Sequence, residues 1–549
     1  MSSAHISRRA RRVASSALAA GAVVALGISL PASAAPTLPD VDHVALLQEF
    51  ADYWTAFPYD TTSDESKQQT AFRGDVTAAG ADLLKQNDET TLAINHAAAE
   101  SADQTQAHRG LVDADAVWTE TLPDALGPVL GAYFTEGAAD GSLPLTSDLI
   151  QAAGEASTTG DAKPVFNYPR PFLDDRSAGG QNDLAGLDAY LGIDELDDWT
   201  DENGVTHSAA YQSMIDNPSQ AFPSGHTTYA YNISIALATL LPELGPEIIT
   251  RGSEAGNNRI VIGVHYALDV VGGRILGHAE QAQTLSDPDY VTGTVDPART
   301  ELVDYLTARC AEDGYGDTLA ACIDATDAND AGGYTNAFTD VVATTPVTDR
   351  ASALSVYEQR MTYGFDQVGA AGADAVVPDG AENLLITAFP DLNDEQRRAV
   401  LAATEIDSGY PLDSSSEGWQ RINLPAALSS QVTLDADGNV IDVLPGQPAP
   451  SVVTEEPTPT ATPTETATAT PTETATATPT ETATATPTET ATATETATAT
   501  ETATPTETSA PLAPTGEDGA PIVVGLAAVA FVAAGIVALG YVRVRSRRS

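Results

Sequence analysis

Asn258-Arg259-Ile260-Val261-Ile262-Gly263-Val264-His265-Tyr266-Ala267-Leu268-Asp269 sets an arginine, a histidine and an aspartate among apolar residues. Five residues separate Arg259 from His265, and three separate His265 from Asp269. Apolar residues recur at helical spacing from 260 to 276. His265 and Asp269, four apart, are therefore expected on one face of a helix. A carboxylate so placed holds one imidazole nitrogen protonated and leaves the other free as a nucleophile. Arg259 adds a planar fork that matches phosphate. The same pairing also arises by accident on ordinary helices, so its neighbours decide its meaning.

Upstream stands Pro223-Ser224-Gly225-His226, followed by an apolar stretch at helical spacing from 227 to 241. Ser224 and Gly225 suit the opening of a helix, whose first backbone N–H groups have no intrahelical acceptor and can face an anion. His226 falls in the first turn, where it can donate or accept a proton beside that anion. Further upstream is Lys163-Pro164-Val165-Phe166-Asn167-Tyr168-Pro169-Arg170-Pro171. Two cations separated by six residues, stiffened by prolines, can converge on one anion, lysine as a point charge and arginine as a fork. Lysine occurs only at Lys67, Lys85 and Lys163, which singles out the last. Read separately, each block is equally a surface ion pair or an ordinary helix cap.

The whole chain of 549 residues carries 77 acidic and 25 basic side chains, a formal charge of −52. Eight of the basic residues (Arg8, Arg9, Arg11, Arg12, Arg543, Arg545, Arg547, Arg548) sit at the two ends, leaving 17 between them. Such a surface excludes nucleic-acid binding, which needs a basic footprint. Strand signals are scarce. The clearest is Gln431–Leu434 and 440–443 around Asp435-Ala436-Asp437-Gly438-Asn439, read as a small hairpin rather than as a calcium loop, because no glutamate follows at the EF-hand position. Cys310 and Cys322 are the only cysteines, and export favours a disulfide between them over a metal pair.

Both ends read as addresses. A basic start, an apolar stretch and Ala32-Ser33-Ala34 make residues 1–34 a signal peptide. Residues 522–542 form an uncharged apolar run long enough to span a bilayer, with a basic tail after it. The pentapeptide Leu512-Ala513-Pro514-Thr515-Gly516 before that run resembles the sortase signal of Gram-positive bacteria, which implies cleavage between Thr515 and Gly516 and attachment to peptidoglycan. Residues 451–511 are a Pro/Thr/Glu/Ala tract with an eight-residue repeat and no means of burying a core, a disordered stalk reaching up to roughly 190 Å.

Taken together, the three blocks resemble the signature of the type 2 phosphatidic acid phosphatase (PAP2) superfamily: Lys-x6-Arg-Pro, Pro-Ser-Gly-His, then Ser-Arg-x5-His-x3-Asp. Its soluble bacterial branch, which the chain also resembles, is the class A non-specific acid phosphatases. Asn258 stands where the pattern has serine. The resemblance covers about 161–277 and implies an all-α, haloperoxidase-like helical bundle. The expected layout is a signal peptide over 1–34, a phosphatase domain over 35–295, a mainly helical extension with the hairpin over 296–450, the stalk over 451–511, the sortase-like motif over 512–516, one transmembrane helix over 521–542 and a cytoplasmic tail over 543–549.

The resemblance also implies roles. His265 is the nucleophile that becomes a phosphohistidine, Asp269 orients it, and His226 is the general acid. Lys163, Arg170, Arg259, Asn258 and the amides near Ser224 and Gly225 bind the phosphate. No metal or cofactor is expected. The expected partners are phosphate-ester substrates, sortase and peptidoglycan, with the membrane engaged before sorting, at the cell surface. Segments at 360–365, 409–413 and 418–424 resemble an extension of actinobacterial members, expected to pack. Two alternatives stay open: a vanadium-dependent haloperoxidase on the same fold, with vanadate at His265, and a wall-anchored adhesin with a phosphatase-like fold.

Overall fold

Helix after helix follows the apolar periodicity of the chain. In the computed structural model, which describes residues 41–57, 74–102, 104–176, 184–216, 219–413 and 418–455, the longer ones are α1 (Ala81–Ala99), α2 (Thr105–Ala114), α3 (Gly127–Asp140), α4 (Pro144–Glu155), α5 (Gly225–Leu240), α6 (Gly245–Val261), α7 (Ala267–Thr284), α8 (Asp296–Asp313), α9 (Arg350–Thr362) and α10 (Asp394–Thr404). The leader, the tract beyond Glu455, the sortase-like Leu512, Thr515 and Gly516, the 521–542 span and the basic tail lie outside the described residues. Among the described residues no helix is long and apolar enough to cross a membrane.

The core sits where α5 packs against α4, α6 and α7. Every residue of α5 from Thr227 to Leu240 is buried, which its Ala, Ser, Thr, Ile and Leu content permits on all faces. Close approach is built in at Gly273 of α7, where an added Cβ would stand 2.6 Å from the Ser224 carbonyl oxygen. Helix α6 is buried throughout despite Glu247, Arg251 and Glu254. Each of these charges has a partner: Glu247 takes a bidentate grip from Arg350 of α9 (2.7 and 2.6 Å), Arg251 grips Asp113 (3.0 and 2.6 Å) and Glu254 pairs with Arg109. Unpaired, such charges would cost several kcal/mol each.

The expected continuous helix across 260–276 is two helices. Helix α6 ends at Val261, and Gly263 follows in the left-handed conformation (φ +69°), the usual helix terminator. An added Cβ at Gly263 would also meet Ile193 Cγ2 at 2.2 Å. His265 therefore lies in the connecting turn, and Asp269 lies in the first turn of α7. They are not on one helical face, although they do meet.

Residues after 296 pack onto α6 and α7. Arg274 of α7 donates to the carbonyls of Gln420 (3.0 Å) and Met361 (3.3 Å), and Arg360 reaches Ser253 Oγ (3.2 Å). Cys310 in α8 is bonded to Cys322, with Cα atoms 5.8 Å apart. The hairpin forms from strands Gln431–Leu434 and Val440–Leu444, and the Asp435 carboxylate is consumed by its own turn, accepting from the amides of Asp437 and Asn439. Ser451–Thr454 then adds a strand parallel to Gln431–Leu434. The tract expected to be stalk from 451 onward thus begins with an ordered strand, since Val452 and Val453 suit a sheet and the Pro-Thr-Glu repeat starts only after them. Two further strand pairs, Trp54–Ala56 with Gly74–Val76 and Trp199–Thr200 with Thr206–His207, were not expected from the sequence.

Candidate active site

The first two blocks are joined before they reach the third. Lys163 sits on the short helix Ala162–Phe166, and the chain then turns at Asn167 (φ +49°) into the extended Pro169-Arg170-Pro171 segment. Opposite runs the lead-in to α5. Lys163 Nζ donates to the Gln220 carbonyl, Arg170 Nε to the Ser219 carbonyl (2.9 Å), and Ala221 N to the Tyr168 carbonyl (2.8 Å). An aromatic cluster clamps the pair. Phe50 stacks on Phe222 at 3.9 Å and meets Phe166 and Tyr168 edge-on, while Trp54 Nε1 donates to the Phe166 carbonyl (2.8 Å). No motif reasoning pointed to Phe50 or Trp54; the concentration of aromatics near all three segments in a chain with 6% aromatics was the available signal.

Ser224 caps α5, its hydroxyl accepting from Thr227 N (3.3 Å) and Thr227 Oγ1 (2.9 Å). The Ser224 amide donates to the Asp269 carbonyl (3.0 Å), tying α5 to the third block. Gly225 and His226 follow in the first turn. The partly exposed His226 ring places Nε2 3.2 Å from the Ala114 carbonyl. A carbonyl only accepts, so Nε2 carries a proton and Nδ1 is the exchangeable nitrogen.

The third block supplies the most constrained group. The Arg259 carbonyl accepts from the amides of Val264 (3.1 Å) and His265 (3.2 Å), which fixes the backbone on either side of the turn. His265 is fully buried. Its Nδ1 lies 3.0 Å from Asp269 Oδ2, and that oxygen also accepts from Tyr266 N (2.8 Å). Its Nε2 lies 2.8 Å from Arg170 Nη1, which also donates to the Val264 carbonyl (2.8 Å). An arginine can only donate. Nε2 therefore accepts, and the ring is neutral with its proton on Nδ1.

Burial holds His265 well below the ordinary imidazole range, and the charges of Arg170, Lys163, Arg259 and His226 push it the same way. Those four groups are its electrostatic neighbours, so the structure brings together Lys163, Arg170, His226, Arg259, His265 and Asp269. For Asp269, burial raises the carboxyl, opposed by Tyr266 N–H, Arg170 and Lys163. Asn258 points elsewhere: it is buried, and its amide donates to Asp113 Oδ2 (2.7 Å). A lone imidazole nitrogen ringed by cations in a dry setting can meet a tetrahedral oxyanion with an in-line nucleophile.

Residues 147–280 match the model of the PAP2 superfamily, a span that contains all three blocks. It is similar to an acid phosphatase of Zymomonas mobilis, 30% identical over 163 residues covering 29% of this chain and 50% of that protein. Similar too are non-specific acid phosphatases of Salmonella typhi, 25% identical over 178 residues (32% of this chain, 59% of the relative), and of Providencia stuartii, 25% over 169 residues (31% and 56%). The chain thus spans between half and three fifths of the length of these curated relatives.

Proposed function

We propose that this protein hydrolyses phosphate monoesters through a phosphohistidine formed on His265. The observation that carries the reading is the pair of contacts on one buried ring, Asp269 on Nδ1 and Arg170 on Nε2. The phosphoryl group enters between Arg170 and His265, and Arg170 transfers its Nη1 donor from Nε2 to a phosphate oxygen. Lys163, Arg259 and the first-turn amides from Gly225 onward take the remaining equatorial oxygens; the Ser224 amide stays with Asp269.

His265 Nε2 then attacks phosphorus as the ester oxygen departs. Protonated His226 gives its Nδ1 proton to that oxygen, keeping the Nε2 proton on Ala114. Asp269 stabilises the charge that develops on the imidazole. In the second half, neutral His226 takes a proton from water, the hydroxide displaces His265 from phosphorus, and inorganic phosphate leaves. Most of the acceleration comes from positioning and charge stabilisation, as in other phosphoryl transfers.

The reading extends to location. The 1–34 leader, the Thr/Pro/Glu tract and the Leu512–Gly516 motif support an exported enzyme held at the cell surface by sortase. Replacing Thr515 with Ala is then expected to move the protein from the wall fraction to the membrane fraction. For the chemistry, release of inorganic phosphate from para-nitrophenyl phosphate by the purified protein tests the proposal. Halide oxidation with vanadate and peroxide, in place of phosphate release, would overturn it in favour of the haloperoxidase alternative.

A further inference from the structure

Beyond the three blocks, α2 ends beside a second group of chemically capable side chains. Asp115 is the residue after α2, Glu120 lies in the helical turn Trp118–Thr121, and His207 lies in the short strand Thr206–His207. One ligand atom from each lies within 4.8 Å of the other two. We propose that Asp115, Glu120 and His207 form a binding site for a divalent first-row metal ion, Zn2+ by its ligand chemistry, at the rim of the phosphate site.

The ligand set is one imidazole and two carboxylates. Zn2+ takes nitrogen and oxygen ligands together at ~2.0–2.2 Å, with water in the remaining positions. Bonds of that length need ligand atoms about 3–4 Å apart. Both carboxylates are exposed, whereas His207 is buried at 3% exposure.

The histidine supplies an observation independent of the acidic pair. Its ring is stacked on Trp199 (5.6 Å between centroids), which is stacked in turn on His108 (4.4 Å). This fixes the imidazole plane. Its Nδ1 faces Asp115 Oδ2 at 2.5 Å, and Nε2 lies 4.0 Å from Asp201 Oδ2. Outside these carboxylates the ring nitrogens have no partner among the described residues. Asp115 and Glu120 likewise have no lysine or arginine within ion-pair distance among the described residues. Converging carboxylates that no lysine or arginine among the described residues neutralises, on a rigidly held and buried imidazole, are what a bound cation compensates. A held imidazole orientation is also what metal ligation rewards.

The location gives the site a consequence. Asp115 follows Ala114, whose carbonyl holds His226 Nε2 at 3.2 Å. A metal at Asp115 fixes the residue next to the one that orients the proposed acid.

Titration of the metal-stripped full chain with Zn2+ alone in a calorimeter, at a salt concentration that screens diffuse binding, tests the site. Wild type is expected to take one equivalent, with a rise in thermal midpoint. Glu120→Gln, exposed and nearly isosteric, is expected to weaken binding at least tenfold and to remove that rise, with an unchanged midpoint in the absence of metal. His207→Ala is expected to abolish saturable binding. Salt-sensitive uptake without a one-to-one endpoint, or equal affinity in wild type and Glu120→Gln, would overturn the proposal.

Discussion

Arg170 cannot accept a hydrogen bond, and that fixes where the proton of His265 sits. Replacing Arg170 with Lys keeps the charge but removes the fork that reaches the Ser219 carbonyl, the Val264 carbonyl and Nε2 together. A fall in kcat of about 10²–10³ is expected, the scale of losing one preorganised oxyanion donor. Ionisation follows from the same contacts. Burial and four cationic neighbours lower His265, so the neutral nucleophile persists as pH falls through ~6.5, where a free imidazole would already be protonated. The acid limb of kcat/KM, corrected for ionisation of the substrate, is expected below that value; a limb at or above it would contradict the assignment. Asn258 belongs to a different set of contacts. Asn258→Leu deprives the buried Asp113 of a donor and is expected to cost about 1–3 kcal/mol of stability in chemical denaturation.

Between α6 and α7, a five-residue turn does what the sequence assigned to a helical face. The spacing from His265 to Asp269 was legible and its consequence was right, since the two side chains meet. The route was not, because Ile260, Val261 and Val264 continue an apolar rhythm that hides the stop at Gly263. That glycine was the readable signal, as only its left-handed φ of +69° lets the chain turn so that Arg259 can hold the His265 amide. Gly263→Ala meets both a strained φ and the Ile193 side chain. The expected result is a lower thermal midpoint together with a loss of activity larger than the loss of folded protein explains. Helix α5 was the most legible element, with its opening at Ser224, its first-turn His226 and its helical extent all anticipated, though not its burial on every face. What brings its lead-in to Lys163 and Arg170 was illegible, because Phe50 and Trp54 act across more than a hundred residues of sequence, and no local pattern encodes such contacts.

Across the whole molecule, the segment after 296 closes over the buried charges of α6. Glu247 illustrates the dependence: burial raises its carboxyl and Arg350 pulls it back. Arg350→Ala is expected to cost about 3–5 kcal/mol by stranding that charge, whereas the double change Glu247→Leu with Arg350→Met is expected to be close to neutral; denaturant midpoints of both variants check the contrast. The sequence led to the expectation that this segment is helical and packs, but not that it covers a charged helix, because an ion pair such as Arg350 with Glu247 leaves no periodic trace. The proposed function turns on one covalent event. The most direct test is to quench the protein in alkali during turnover of a 32P-labelled phosphomonoester and map the label by peptide. The account predicts acid-labile, alkali-stable label on the peptide containing His265, and neither label nor turnover in His265→Ala; label retained by that variant, or turnover by wild type with no labelled His265, would contradict it.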